Sequence, residues 1–65
     1  QVSKKYRRSI YISENVKAGE ILSESNIRII RPGFGMEPKF YEQVVGKKFK
    51  QAINKGVPLT WDLIE

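Results

Sequence analysis

One pattern of residues occurs twice in this 65-residue chain, and it restricts the possible folds more than any other feature. Val16-x-x-Gly19-x-x-Leu22-Ser23-x-x-x-Ile27 aligns without a gap with Ile53-x-x-Gly56-x-x-Leu59-Thr60-x-x-x-Ile64. Each copy places an apolar residue, a turn glycine, a leucine, a hydroxyl residue and a second apolar residue at the same spacing. We interpret the copies as two equivalent units of strand, turn and helical turn, packed about a pseudo-twofold axis, because neither unit can bury its apolar side alone.

Short strands and single helical turns alternate in the pattern of apolar residues. The sequence predicts strands over residues 9–16, 27–30 and 49–53, a helix over 38–45 ended by Gly46, and a last helical turn over 61–64. In the first strand, Ile10 and Ile12 alternate with Ser9, Tyr11 and Ser13, and this period of two among β-forming residues is typical of a strand. Ser23 is a candidate N-cap whose oxygen accepts from the amide of Ser25 or Asn26. The expected fold class is a small mixed α+β domain.

The chain contains no cysteine and no histidine, and its length is near the lower limit for a domain with a single core. Disulfides and the usual zinc ligands are therefore absent, as are cysteine nucleophiles and imidazole bases. No apolar run approaches the ~20 residues that span a bilayer. Because the chain begins with Gln1 rather than Met, we expect a segment of a longer protein. The composition predicts a small soluble module that is not an enzyme alone.

Basic residues outnumber acidic ones, with a net charge of +5 and twelve Lys and Arg in total. A basic small domain raises the possibility of nucleic-acid binding. The positive charges are spread along the chain and interleaved with glutamates, however, and no aromatic RNA-binding platform is present. The pattern favours a solvated basic surface or one that faces an anionic substrate. Arg7 and Arg8 either anchor the linker against the part of the protein that precedes it or are solvated. Lys47 and Lys48 form a solvated pair after a helix end.

The segment Arg31-Pro32-Gly33-Phe34-Gly35 is the candidate binding loop. The guanidinium of Arg31 is a permanently charged, rigid fork of donors that suits an amide oxygen or a carboxylate. Pro32 restricts the backbone, and the two glycines let it approach a ligand or another chain closely. The competing interpretation of Arg31 is a surface arginine paired with a nearby carboxylate. Phe34 and the following Met36 pack either on a partner or on the domain's own core.

Several of these motifs together resemble a known domain family. They are Arg31-Pro32-Gly33-x-Gly35, the helix that begins at Pro38, Gly46-Lys47-Lys48, Lys55-Gly56-x-Pro58-Leu59 and Asp62. This set resembles the C-terminal antifreeze-like, or SAF, domain of bacterial sialic acid synthases over residues 8–65, with residues 1–7 as a linker from a preceding catalytic barrel. The resemblance implies the β-clip "pretzel" fold of type III antifreeze proteins. The resemblance applies equally to the pseudaminic, legionaminic and N-acetylneuraminic acid synthases and does not distinguish among them.

The resemblance implies a specific function. Synthases of this kind are cytoplasmic transferases of carbohydrate biosynthesis that condense phosphoenolpyruvate with an N-acylated hexosamine, in a (β/α)₈ barrel that holds Mn²⁺ or Mg²⁺. Their SAF domain is swapped across a homodimer and covers the partner's barrel mouth. Arg31 would contact the sugar N-acyl group in trans, supported by Pro32, Gly33, Phe34 and Gly35. Gly19 and Gly56 would be structural turns; no catalytic residue, metal ligand, membrane contact or nucleic-acid contact is expected in the domain.

Other functions remain compatible with the same fold, since a fold does not determine a function. One is a free-standing SAF module, of the kind found in flagellar or pilus assembly chaperones and in sugar-acid dehydratases. Ice binding is disfavoured, because it needs a flat face of small, weakly polar residues and the chain has a single threonine with 29% charged residues. Trp61 is expected to be a core or domain-interface aromatic, and Asp62 a local cap.

Overall fold

The regular elements are short and are joined by long irregular segments. The computed structural model describes residues 6–65. In chain order the elements are β1 (Ser9–Ile12), β2 (Ile27–Ile30), a 3₁₀ turn (Pro38–Phe40), helix α1 (Tyr41–Val44) and a second 3₁₀ turn (Trp61–Leu63). β1 and β2 pair antiparallel, with Ser9 opposite Ile30 and Ile12 opposite Ile27. The predicted α+β class of short strands and single helical turns is confirmed.

A pseudo-twofold axis passes between the two copies of the repeat. Val16 and Ile53, the first residues of the copies, exchange two backbone hydrogen bonds: the Val16 N–H donates to the Ile53 carbonyl at 2.9 Å, and the Ile53 N–H returns a bond at 3.0 Å. Such a reciprocal pair is its own image under a twofold rotation. The predicted packing of two equivalent units is therefore present in the backbone itself.

The remaining hydrogen bonds of the two copies correspond pair by pair. The corresponding N–H to C=O bonds are Gly19 to Phe49 (2.8 Å) with Gly56 to Ile12 (2.7 Å), Leu22 to Lys47 (2.8 Å) with Leu59 to Ile10 (2.9 Å), and Ser13 to Asn26 with Lys50 to Leu63 (both 2.9 Å). In each pair, the same number of residues separates the two donors, and the same number separates the two acceptors. This number is also the spacing between the two repeat copies. The symmetry therefore extends beyond the residues that the repeat shares.

The core lies on this axis and draws on both copies. Its buried residues are Ile10, Ile12, Val16, Leu22, Ile27, Met36, Val44, Phe49, Ile53, Leu59 and Ile64. Leu22 and Leu59 occupy equivalent framework positions, and both are fully buried. Burying one such side chain contributes about 1.5–3 kcal/mol. Because each copy covers the apolar side of the other, neither half forms a core alone.

Two predicted strands differ from the observed structure. β1 ends at Ile12 rather than at residue 16, and Val16 forms only an isolated bridge to Ile53. All four residues of β1 are buried, Ser9 and Tyr11 as well as the two isoleucines. The reason is that a loop and an antiparallel bridge from Pro58 to Tyr11 flank this strand opposite β2. Residues 49–53 likewise form no strand and make isolated bridges at their two ends.

The helical segments are shorter than predicted. Residues 38–45 divide into a 3₁₀ turn and α1, and Gly46 follows with a φ of +98°. Ser23 accepts a hydrogen bond from the Ser25 amide at 3.3 Å as predicted, but the segment is a turn and not a helix. No helix within residues 6–65 is long and apolar enough to cross a membrane. Most of the predicted linker at residues 1–7 lies outside the described residues.

The symmetry makes a quantitative prediction about the two turns. Gly19 and Gly56 have φ of +86° and +93°, and open space surrounds the position of an added Cβ at both. Gly19→Ala and Gly56→Ala should therefore each lower the free energy of unfolding by the backbone penalty alone, roughly 1–2 kcal/mol. Urea denaturation measures both.

Gly19→Asn and Gly56→Asn are the matched controls. Asparagine adopts positive φ more readily than alanine, so each should be less destabilising than the corresponding alanine variant. A clearly larger effect at one turn than at the other would contradict the equivalence of the two copies.

Candidate functional site

The loop that carries Arg31 is held by the sheet at both ends. It follows directly after β2, and at its far side the Met36 carbonyl accepts a hydrogen bond from the Ile10 N–H at 2.8 Å. The Met36 N–H in turn donates to the Leu59 carbonyl at 2.7 Å. Residues 31–35 therefore bridge two fixed points of the core. The Arg31–Pro32 peptide bond is cis.

Ser9 clamps the middle of this loop from β1. Its Oγ donates to the Pro32 carbonyl at 2.8 Å and accepts from the Gly35 N–H at 3.0 Å. The side chain is 1% exposed, so both bonds are shielded from competing water. Sequence reasoning missed this residue, because a serine in an alternating strand is typical of a solvated position. No pattern in the sequence marks it as a clamp.

Gly35 lets the loop lie directly against the core. A Cβ at this position would overlap the Ile10 carbonyl oxygen and would lie 3.1 Å from the Leu59 nitrogen. Both are backbone atoms, which cannot move aside without breaking the pairing between these segments. The glycine is therefore required by a close approach of two backbones rather than by a positive φ.

Arg31 itself is exposed at the beginning of the loop. Among residues 6–65, no carboxylate pairs with it and no acceptor bonds to it. Its five N–H donors therefore point to solvent and are available to a ligand or to another chain. Of the two flanking apolar residues, Met36 packs in the domain's own core, whereas Phe34 is 59% exposed.

The other predicted positions lie elsewhere on the molecule. Gly19 and Gly56 are in the two symmetric turns and do not contribute to the loop. Trp61 is 47% exposed and makes an edge-to-face contact with Phe40, with ring centroids 5.4 Å apart, so it is not a core residue. The Thr60 hydroxyl donates to the Asp62 carboxylate, which lowers the pKa of that carboxyl. No three carboxylates of the described residues come together to form a metal site.

A cleft of about 320 Å³ lies beside the loop. Its lining residues are Arg7, Arg8, Gly33, Gly35, Glu37, Pro38 and Lys39. Lys39 forms an ion pair with Glu37 at 3.7 Å. Sequence reasoning did not bring these residues together, because the cleft is assembled from the start of the domain and from the far end of the loop. The Arg31 loop therefore has a basic concavity on one side.

Comparison with known proteins identifies a domain family and several similar proteins. The SAF domain family matches residues 7–65. Pseudaminic acid synthase of Campylobacter jejuni (strain 81-176) is 47% identical over 51 residues, covering 78% of this chain and 15% of that protein. Pseudaminic acid synthase of Helicobacter pylori is 37% identical over 60 residues, covering 92% and 18%. N,N'-diacetyllegionaminic acid synthase of Legionella pneumophila is 30% identical over 59 residues, covering 91% and 17%.

The fold also matches a solved structure. An antifreeze protein like domain in human N-acetylneuraminic acid phosphate synthase superposes with a TM-score of 0.82, covering 100% of this chain and 82% of that one. At 19% identity, this likeness shows the shared fold alone. The chain spans less than a fifth of the length of the curated synthases that it matches.

The Ser9 clamp predicts a large effect from the loss of one oxygen atom. Ser9→Ala leaves the Pro32 carbonyl and the Gly35 N–H without their partner, and it should lower the free energy of unfolding by about 1–3 kcal/mol. Ser13→Ala is the matched control, because the Ser13 Oγ is buried without a hydrogen-bond partner among the described residues. The control should be neutral or stabilising in urea denaturation. The reverse order of the two variants would rule out the clamp.

Proposed function

Because this chain belongs to the SAF domain family, we propose that it is the C-terminal substrate-capping domain of a bacterial sialic-acid-family synthase. The synthase would condense phosphoenolpyruvate with an N-acylated hexosamine. Pseudaminic and legionaminic acid synthases among its relatives support this reaction class. Since the chain spans only a small part of those proteins, the chemistry belongs to a catalytic barrel outside these residues, and so does the Mn²⁺ or Mg²⁺ that we propose it uses.

The observation that carries the proposal is the position of Arg31. Its side chain has no partner within the described part of the chain, yet the loop beneath it is fixed by Ser9 and by the two ends of the sheet. Because the backbone beneath it is already fixed, only the side chain of Arg31 has to become ordered when it binds. Its N–H donors match the carbonyl oxygen of an N-acyl group. We assign that contact to Arg31, acting on the partner subunit's substrate in a homodimer.

The surface around Arg31 supports a covering role. The exposed apolar side chains of Ile29, Ile30 and Phe34 lie within three residues of it along the chain. Exposed apolar side chains close in sequence to an unpaired cation suit contact with another protein surface, where their burial excludes water from the ligand. A domain placed in this way over a barrel mouth would orient the sugar and exclude bulk water from the active site.

The role of Arg31 is tested by Arg31→Ala in the intact synthase. Loss of a hydrogen bond from a charged donor is worth about 1.5–3 kcal/mol, so the KM for the amino sugar should rise by roughly tenfold to a hundredfold. The KM for phosphoenolpyruvate should change much less. Steady-state kinetics with each substrate varied in turn separate the two effects.

Arg28→Ala is the matched control for that experiment. Arg28 is an exposed arginine on β2 with no ion pair among residues 6–65, so its removal changes the net charge equally. Kinetics of this variant should stay close to those of the wild type. A sugar KM that is unchanged by Arg31→Ala, or raised equally by both variants, would refute the role of Arg31.

The proposal also predicts how the 65-residue chain behaves alone. One arginine provides few of the contacts that a hexosamine needs, because the rest would come from the barrel. An NMR titration of the chain with N-acylated hexosamine should therefore show no saturable binding up to millimolar sugar. Micromolar affinity would indicate a self-contained sugar site and would contradict a capping role.

A further inference from the structure

A second group of cations lies beside the loop, and the capping role does not use it. Arg7, Arg8 and Lys39 line the cleft described above, together with a single carboxylate, that of Glu37. Since Glu37 pairs with Lys39, the two guanidiniums are the charges that the cleft leaves uncompensated. Arg31 is not among the lining residues, so this is a different surface from the one assigned to the sugar.

The fold fixes where one of these arginines lies. Ser9 pairs with Ile30 at the last position of the β1–β2 ladder, so Arg8 is the next residue beyond that pairing. Ser9 also clamps the loop through Pro32 and Gly35. The loop residues and the arginines that line the cleft are therefore connected through the buried side chain of Ser9.

The two guanidiniums and the Gly33 N–H of this cleft have no partners within residues 6–65. Neither Arg7 nor Arg8 makes an ion pair or hydrogen bond with any residue of the described range. The Gly33 N–H likewise bonds to no acceptor there. A concave site with several unused donors and a surplus of positive charge fits an anion.

We propose that this cleft binds a phosphate group, either as inorganic phosphate or as the monoester of a small molecule. Guanidinium groups bind phosphate oxygens through paired, charge-assisted hydrogen bonds, and two adjacent arginines match its double negative charge. The unbonded N–H of Gly33, which also lines the cleft, is a further donor of the kind that phosphate-binding loops use. The volume is at the lower end of the range for ligand clefts, which suits a small anion.

The test is a titration of the ¹⁵N-labelled 65-residue chain with inorganic phosphate and with glycerol 3-phosphate at constant ionic strength. Saturable shifts in the millimolar range should appear at the amides of Arg8, Gly33, Gly35 and Lys39. Equal affinity for the two probes would mean that the cleft recognises only the phosphate group. Tighter binding of glycerol 3-phosphate would mean that the cleft also contacts the attached glycerol. Both results support the site.

The double variant Arg7→Ala/Arg8→Ala should weaken phosphate binding about tenfold or more. Lys47→Ala/Lys48→Ala removes the same charge from a basic pair outside the cleft and should keep the affinity within about twofold. An equal loss in both variants, or shifts that do not saturate and that sodium chloride reproduces, would overturn the proposal, because either result means non-specific screening.

Two further variants test whether phosphate binds at the residues that line the cleft. Glu37→Gln removes the carboxylate of the cleft and should tighten phosphate binding, so a weaker affinity would contradict the site. Arg31→Ala should retain phosphate binding, because Arg31 does not line the cleft. The sugar kinetics of the intact synthase test Arg31 separately, so the cleft and the capping role can fail independently.

Discussion

The two hydrogen bonds that Val16 and Ile53 exchange are the constraint on which the rest of the domain depends. They bring the first residues of both repeat copies together. The other corresponding pairs of hydrogen bonds are arranged symmetrically about this pair. The same arrangement places Leu22 and Leu59 in one core, each covering apolar surface that the other copy leaves open. A chain with neither disulfide nor zinc site therefore gains its order from two halves that are incomplete separately.

The loop inherits its rigidity from this core. Ser9 belongs to β1, which is part of the core. Its hydrogen bonds to Pro32 and Gly35 fix the loop relative to this strand. A loop attached in this way presents its polar groups without first having to become ordered. The backbone that carries Arg31 is therefore held in place, and binding has to order only its exposed side chain.

The sequence predicted the parts of the fold that depend on local patterns. The repeat anticipated the pseudo-twofold axis, residues 27–30 form the strand that was predicted, and the comparisons confirm the resemblance to SAF domains that the Arg31-Pro32-Gly33 loop suggested. Contacts between distant segments could not be predicted. Ser9 is buried only because the loop folds over it, and the Arg7 and Arg8 cleft exists only because residues 33–39 return beside the start of the domain.

The pairing of segments from opposite ends of the chain also determines how this domain acquires its structure. The amide of Gly56 bonds to Ile12 and that of Leu59 to Ile10, so β1 lacks one of its neighbours until residues near the C-terminus are present. Contacts this far apart in sequence are slow to form, because a long loop must close before they stabilise anything. On the ribosome, the first half of the domain would therefore stay unfolded until residues 56–59 have left the exit tunnel.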